Sequence, residues 1–215
     1  MFDSFFDFAY ARLADPPLRG MRKAVVEFAA FRAGQSVLDV CCGTGAQVFE
    51  YARQGLTATG LDIDPKMIRQ ALYYQAREPE LKPSLIVGDA AKMPFERGIF
   101  DAASISLALH EKDFDLQDGI LREMKRVVKP GGKLVFIDFR VPLPKSIVGY
   151  GVKTVESSVG GQHHRDFLEY VRRGGLTPIL ERHHLCPDRD RIAVRGAVRL
   201  LLAPNSAVCQ NTPIS

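Results

Sequence analysis

Gly43, Thr44 and Gly45 stand two residues behind a short apolar run, Val37-Leu38-Asp39-Val40, and ahead of a stretch from Ala46 to Arg53 with helical character. A strand, a glycine turn and a helix start leave free backbone N–H groups and little side-chain bulk, which suits a polar, nucleotide-type ligand. Which nucleotide is open at this point. A dinucleotide fingerprint asks for G-x-G-x-x-G or G-x-G-x-x-A, with an acid roughly 20 residues on for the ribose. Here the register reads Cys41-x-Gly43-x-x-Ala46, so the first glycine is missing. Asp62 closes the next apolar run, Ala58-Thr59-Gly60-Leu61, and could hold a ribose diol in either kind of site. Asp39, inside the first strand, would repel a pyrophosphate but suits an ammonium group.

Together these residues resemble the class I methyltransferases that use S-adenosylmethionine, and the resemblance runs over residues 36 to 140. Gly60-Leu61-Asp62-Ile63-Asp64-Pro65-Lys66-Met67 is similar to their second motif, and Val87-Gly88-Asp89-Ala90-Ala91-Lys92-Met93-Pro94-Phe95 to their third. Phe100 to Ser106 is similar to their fourth strand, and Leu121 to Leu134, with Lys129-Pro130-Gly131-Gly132 inside it, to the helix, turn and fifth strand. Several motifs in order are far more specific than one glycine loop. The subgroup it most resembles makes ubiquinone and menaquinone, together with small-molecule relatives. Cys41 is the departure, because the family usually has glycine there.

The resemblance implies S-adenosylmethionine as cofactor, S-adenosylhomocysteine as product, and a role for each matched residue. Asp39 would lie near the methionine ammonium, with Cys41, Gly43 and Gly45 beside the methionine moiety and Asp62 on both ribose hydroxyls. Ile63 and Met67 would sandwich adenine, Asp89 would accept from its exocyclic amine, and the Ala90 N–H would donate to a ring nitrogen. Ser106 and Leu107 would complete the methionine end through their carbonyls. Asp64, before Pro65, also reads as a helix cap, and Asp101 as a structural acid at the start of strand four.

Methyl transfer from a sulfonium is an in-line displacement, which chiefly needs the acceptor held on axis and water kept out. A general base helps where the acceptor loses a proton late, as a phenol or enol-like carbon does. In the family the loop after strand four faces the methyl, which makes His110 and Glu111 the first candidates; His163 and His164, on an expected lid, come next. His183 and His184 read as neighbours on a strand, pointing to opposite faces, so no shared metal site is expected from them, nor any other metal site. An Asn-Pro-Pro-Tyr type signature is absent after strand four, where Ser106-Leu107-Ala108-Leu109 stands, and no cysteine lies there for cytosine chemistry. The acceptor expected is therefore a small or lipid-like molecule. Two other readings stay open: a non-catalytic S-adenosylmethionine-binding protein, and an NAD(P)-dependent oxidoreductase, which the missing glycine and Asp39 oppose.

Alternating strands and helices must position these groups, a pattern that predicts a parallel sheet. Strands are expected at Ser36–Val40, Thr57–Leu61, Ser84–Val87, Ala102–Leu107, Lys133–Asp138, Pro178–Leu185 and Val194–Leu202. Helices are expected at Phe2–Leu13, Leu18–Phe31, from Pro65 to near Pro79, Phe114–Val128, Ser146–Ser158 and Asp166–Arg173. The family's α/β, Rossmann-like sheet would have strand order 3-2-1-4-5-7-6 with the last strand antiparallel, helices on both faces and N-terminal cap helices. One domain is expected: cap helices in 1–33, a cofactor core in 34–140, a lid in 141–175, a strand pair in 176–203 and a tail in 204–215.

With 215 residues, 46% hydrophobic and 25% charged, the chain can bury a full core. Its 29 basic and 25 acidic residues give a charge of +4 that is too diffuse to require nucleic acid. The four cysteines lack metal-ligand spacing and read as small packing residues. The start lacks a basic, apolar leader, and no run approaches the roughly 20 apolar residues of a membrane span. A reduced, cytoplasmic protein is expected, compatible with peripheral membrane contact and with a homodimer.

Overall fold

A computed structural model describes residues 18–206 of the chain. The described part of helix α1 runs over 18–28 and buries Met21, Val25 and Phe28, with Ala29 just beyond it, on the side the sequence indicates. Strand β1 (Ser36–Val40) follows, then α2 (Ala46–Arg53), β2 (Thr57–Asp62), α3 (Pro65–Gln75), β3 (Ser84–Val87) and β4 (Phe100–Ser106). After a 3-10 turn at Leu109–Glu111 come α4 (Phe114–Val127), β5 (Val128–Phe139), α5 (Ile147–Val159), α6 (Gly161–Arg173), α7 (Leu176–Arg182), β6 (Arg189–Ala193) and β7 (Val198–Pro204).

All seven strands form one sheet in the order β3-β2-β1-β4-β5-β7-β6, as expected. β1 lies in the middle, parallel to β2 and β4, with Asp39 beside Gly60 on one side and Ser104 on the other. β7 is antiparallel to both β5 and β6. Central parallel strands are covered on both faces, so they read as near-continuous apolar runs. Val37, Leu38, Val40, Ala103, Ile105, Leu134, Val135 and Phe136 are accordingly almost fully buried. Asp64 caps α3 through the Lys66 N–H, with Pro65 at the first helical position, and Asp113 caps α4 through the Leu116 N–H. Asp101 holds Ser36 at the opposite end of the sheet, accepting from its backbone N–H and its hydroxyl.

Because β1 to β5 run in one direction, their carboxyl ends share one edge of the sheet. Val87, Asp62, Cys41, Leu107 and Phe139 arrive there in spatial order β3-β2-β1-β4-β5 although they are scattered along the chain.

Several expected boundaries shift. Strand four begins at Phe100 and ends at Ser106, and the helix from Pro65 ends at Gln75. β5 is longer than expected, yet its pairing with β4 jumps from Phe100↔Val128 to Ala102↔Lys133, so the expected Pro-Gly-Gly turn survives as an excursion inside the strand. The segment expected as strand six is instead helix α7. Leu176, Ile179 and Leu180 are its buried residues, the i, i+3, i+4 spacing of one helix face, and Pro178 is tolerated because it sits in the first turn. His183 and His184 consequently lie at the end of a helix, not on a strand. Strand seven starts only at Val198, after a 3-10 turn at Val194–Gly196. Helix α6 begins at Gly161, five residues before the expected start. Cys41 and Cys42 are free thiols, as expected, but Cys186 is disulfide-bonded, a pairing that spacing alone does not disclose. The helix expected over Phe2–Leu13 and most of the expected tail lie outside the described residues.

Gly60 matters to the edge because a Cβ there would stand 2.8 Å from both Cys42 Sγ and Val48 Cγ2. These atoms belong to the turn after β1 and to α2, so the missing side chain lets the turn sit down on β2. Gly60→Ala is expected to lower the unfolding free energy by about 2 kcal/mol through overpacking, measured by urea denaturation.

Candidate functional site

The turn after β1 is shaped by backbone conformations that favour glycine. Gly43 and Gly45 have φ of 54° and 77°, and Cys41, where a side chain is retained, has φ of 55°. A non-glycine residue in this region costs roughly 1–2 kcal/mol, so Cys41 carries a local strain that glycine would not. Nothing lies within 4 Å of where a Gly43 Cβ would be, leaving open space on the turn. Gly45 caps α2 without a side-chain hydrogen bond to the helix start. Asp62 fixes the turn from β2: one carboxylate oxygen accepts the Gly43 N–H at 2.7 Å and the other accepts the Asp64 N–H at 2.9 Å. A carboxylate has about four acceptor positions, so two remain for a ligand. Next to Asp62, Ile63 is 68% exposed, and Val87, its neighbour at the end of β3, is 50% exposed. Beyond β3, Asp89 uses one oxygen to accept the Ala91 N–H and is itself exposed.

Beneath the turn, Tyr51 donates to the Ser104 hydroxyl at 2.9 Å, and Ser104 donates to Asp39 at 2.6 Å. All three side chains are buried. Burial pushes Asp39 up to about 7, against the opposing pull of the Ser104 hydrogen bond and of Arg22, with Asp62 adding a further upward push. Burial also pushes the Cys41 thiol up to about 12 and raises Cys42 further, so neither is a ready thiolate.

At the ends of β4 and β5 a second constellation forms. Asp138 accepts the N–H groups of Leu109, His110 and Phe139 and pairs with His110 Nδ1 at 2.7 Å. His110 is 4% exposed, packed at 4.6 Å between ring centres on Phe139 and facing Phe167 and Tyr170 edge-on. From α6, His163 reaches in with Nε2 at 2.6 Å from Glu156 and Nδ1 at 3.1 Å from Glu111, while Lys112 pairs with Glu111. Burial pulls the His110 imidazole down, but Asp138, Glu156 and Glu111 more than offset it and leave it above its ordinary value. His163 is lifted to about 9 by its hydrogen bonds to Glu111 and Glu156. Burial would raise Glu111, yet the His163 bond and the Lys112 charge hold it down at about 2.

The two halves adjoin, since β1 and β4 are neighbours, and Lys112 and Glu111 act electrostatically on Cys41. A family model described as a methyltransferase domain matches residues 38–136. A demethylmenaquinone methyltransferase from Renibacterium salmoninarum is 39% identical over 124 residues, covering 58% of this chain and 49% of that protein. The chain thus spans about half the length of that relative. The demethylmenaquinone methyltransferase of Thermotoga maritima is 36% identical over 175 residues, 78% of this chain and 71% of that protein. This chain belongs to the class I S-adenosylmethionine-dependent methyltransferase family. Its likeness extends to the menaquinone and ubiquinone branch. Its fold is shared with a S-adenosylmethionine-dependent methyltransferase from Aquifex aeolicus, with a TM-score of 0.69 at 20% identity, covering 95% of this chain and 99% of that one.

In this methyltransferase-family chain, the sequence-predicted residues fall into two groups on one edge. Cys41, Gly43, Gly45, Asp62, Ile63, Met67, Asp89 and Ala90 border the β1–β3 half, and Asp39 lies buried below it. Ser106 ends β4, and Leu107 turns the chain with φ of 51° while donating its N–H to Ile137. His110 and Glu111 meet on the β4–β5 half. His164 does not join them as its neighbour does: it turns to the Glu156 carbonyl at 3.2 Å, and His163 is the lid histidine that bonds to Glu111.

Sequence reasoning missed Asp138, Glu156 and Lys112. An acid closing the apolar run Leu134-Val135-Phe136-Ile137 is the same signal that singled out Asp62, and it would have found Asp138. Glu156 gave no comparable signal, since one acid in a helix is ordinary.

Asp39 makes stability depend on pH. Its pKa in the folded chain is about 7, above the ordinary carboxylate value of the unfolded chain, so its contribution is present below pH ~4 and lost as pH rises through 7. Arg22, Tyr51, Ser104 and Asp62 are the polar and charged groups acting on it. Asp39→Asn is expected to gain stability relative to wild type between pH 5 and pH 8, read from urea midpoints at both values.

Proposed function

We propose that this chain transfers the methyl group of S-adenosylmethionine to a small or lipid-like acceptor by in-line displacement. The observation that carries the reading is Asp62 bonded to the Gly43 N–H at 2.7 Å. This bond joins a carboxylate with spare acceptor positions to a glycine turn with open space, beside an exposed isoleucine. Such a set matches a ribose diol, the main chain of a methionine and a flat purine. S-adenosylmethionine, when bound, supplies a methyl group already activated by its sulfonium.

The residues divide the ligand among them. Asp62 offers its remaining acceptor positions to the ribose hydroxyls. Ile63 and Met67 flank the adenine, Asp89 offers its free oxygen to the exocyclic amine, and the Ala90 N–H faces a ring nitrogen. Cys41, Gly43 and Gly45 line the methionine moiety, with the Ser106 and Leu107 carbonyls opposite. Asp39 lies beneath the ammonium, whose positive charge favours its carboxylate form over the protonated one. On the acceptor side stand His110 and Glu111, with His164 flanking them in α6, where the acceptor's own proton has to be managed and water excluded. The relatives' name specifies demethylmenaquinone, so a quinone-class ring is the first acceptor to try. Ile147 and Tyr150 on α5 are exposed apolar groups of the kind a lipid-like acceptor, or the membrane surface carrying it, would meet. No helix among the described residues is long and apolar enough to cross a membrane.

Thermal shift and calorimetry with S-adenosylmethionine, S-adenosylhomocysteine and NADH in parallel test the reading. A ligand at a hundred times its Kd stabilises the folded state by about 2.7 kcal/mol. Both adenosyl compounds are expected to raise Tm, and Asp62→Ala to weaken them about 10- to 100-fold through the lost charge-assisted hydrogen bonds. Stabilisation by NADH alone would overturn the reading in favour of a hydride-transfer site. Adenosyl binding without turnover of any quinone, phenol or amine would favour a non-catalytic binder.

A further inference from the structure

We propose that His110, Glu111 and His163 form a binding site for one divalent transition-metal ion of the zinc or ferrous-iron class, open on the side of the acceptor. One ligand atom from each of the three residues lies within 4.8 Å of the other two. Two imidazoles and one carboxylate are the donor set that such ions take when positions are left vacant for water or substrate. Bond lengths of about 2.1 Å place adjacent ligand atoms about 3 to 3.4 Å apart, so the side chains close modestly around an ion.

The orientation of the two imidazoles is the stronger observation. A metal-bound histidine characteristically gives its second ring nitrogen to a carboxylate or carbonyl, which fixes the ring and directs the other nitrogen at the metal. Here Asp138 holds Nδ1 of His110 at 2.7 Å, and Glu156 holds Nε2 of His163 at 2.6 Å. Of the remaining nitrogens, Nδ1 of His163 lies 3.1 Å from Glu111, and Nε2 of His110 stands 3.7 Å from the Glu156 oxygen that holds His163, so Glu156 lies between the two rings. Asp138 is further fixed by three backbone N–H groups, so its hold on His110 is rigid. Each histidine thus already has the outer partner that a metal site requires.

Charge points the same way. Glu111, Asp138 and Glu156 bring three carboxylates to a largely buried cluster, and Lys112 is the fixed cation paired within it. With both imidazoles neutral, as ligation requires, two negative charges remain, which a dication balances in place of the imidazole protons. The site differs from the cofactor edge, which lies over β1 to β3, but it adjoins it through the loop after β4. Resting on the function proposed above, the ion's open positions would take an oxygen of the acceptor, lower its hydroxyl pKa and hold it on the methyl axis. His110 and Glu111 then act as ligands, and His163 is the third.

The test uses the full chain stripped with chelator and dialysed against Zn2+ or Co2+, with bound metal counted by elemental analysis and the Co2+ sample read by its visible absorption. One equivalent per chain is expected, with a Co2+ band typical of nitrogen and oxygen ligation. His163→Ala, altering a partly exposed residue of α6, and Glu111→Gln are each expected to weaken Zn2+ binding ~100-fold or more, since even outer partners cost 10- to 100-fold. His184→Ala, at the end of α7, should leave it unchanged. S-adenosylhomocysteine thermal shifts are run on the same samples. No saturable uptake, or equal uptake by wild type and His163→Ala, overturns the metal site. If the S-adenosylhomocysteine shift persists in that case, the methyltransferase reading stands by itself; if it is also absent, that reading falls separately.

Discussion

A carboxylate removed from water must be met by donors or by cations, and three such carboxylates organise the working edge of this sheet. Asp62 holds the glycine turn through the Gly43 N–H, and Asp39 ties β1 to β4 and α2 through Ser104 and Tyr51. Asp138 gathers three backbone N–H groups and an imidazole at the end of β5. Asp62 and Asp138 each link the carboxyl end of one strand to a segment that follows another, while Asp39 joins neighbouring strands beneath them. The turn and loops that would contact a ligand are therefore fixed by charge-assisted hydrogen bonds to the rigid sheet, an arrangement that keeps a site within the tolerances chemistry demands.

The edge is electrically divided. Over β2 and β3, exposed Ile63 and Val87 stand among carboxylates with spare acceptor capacity, a surface suited to a cationic ligand with an aromatic ring. Over β4 and β5 lies a sequestered cluster of alternating acids and histidines, walled by Phe139, Phe167 and Tyr170. Tyr170 donates its hydroxyl to the Phe139 carbonyl, so α6 is anchored to β5 next to the histidine it helps bury. Low dielectric strengthens every pairing in such a cluster and equally penalises any group left alone.

Local sequence was informative wherever its signal was itself local. Asp64 and Asp101 were legible as a cap and a structural acid because each acts at the end of an element, next to a proline or an apolar run. The Pro178 to Leu185 segment was misleading because a short apolar run has the same composition in a buried strand and in a two-turn helix. Its packing decided the matter, with Leu176, Ile179 and Leu180 turned to one side. His163 and His164 are adjacent on α6, where successive residues point about 100° apart; which one faces His110 depends on how α6 lies on the sheet.

By itself the sequence determined the alternation of strands and helices, the order of the sheet through its family motifs, the glycine turn, the acid inside β1 and the acid that ends β2. These follow from patterns a few residues long, which the backbone enforces wherever they occur. Only the tertiary structure decided that Asp138, Glu156 and His163 join His110 and Glu111, and that Asp39 is buried deeply enough to hold its proton near neutrality. Those properties depend on distances between segments and on the exclusion of water, and neither is written in the spacing of residues along the chain.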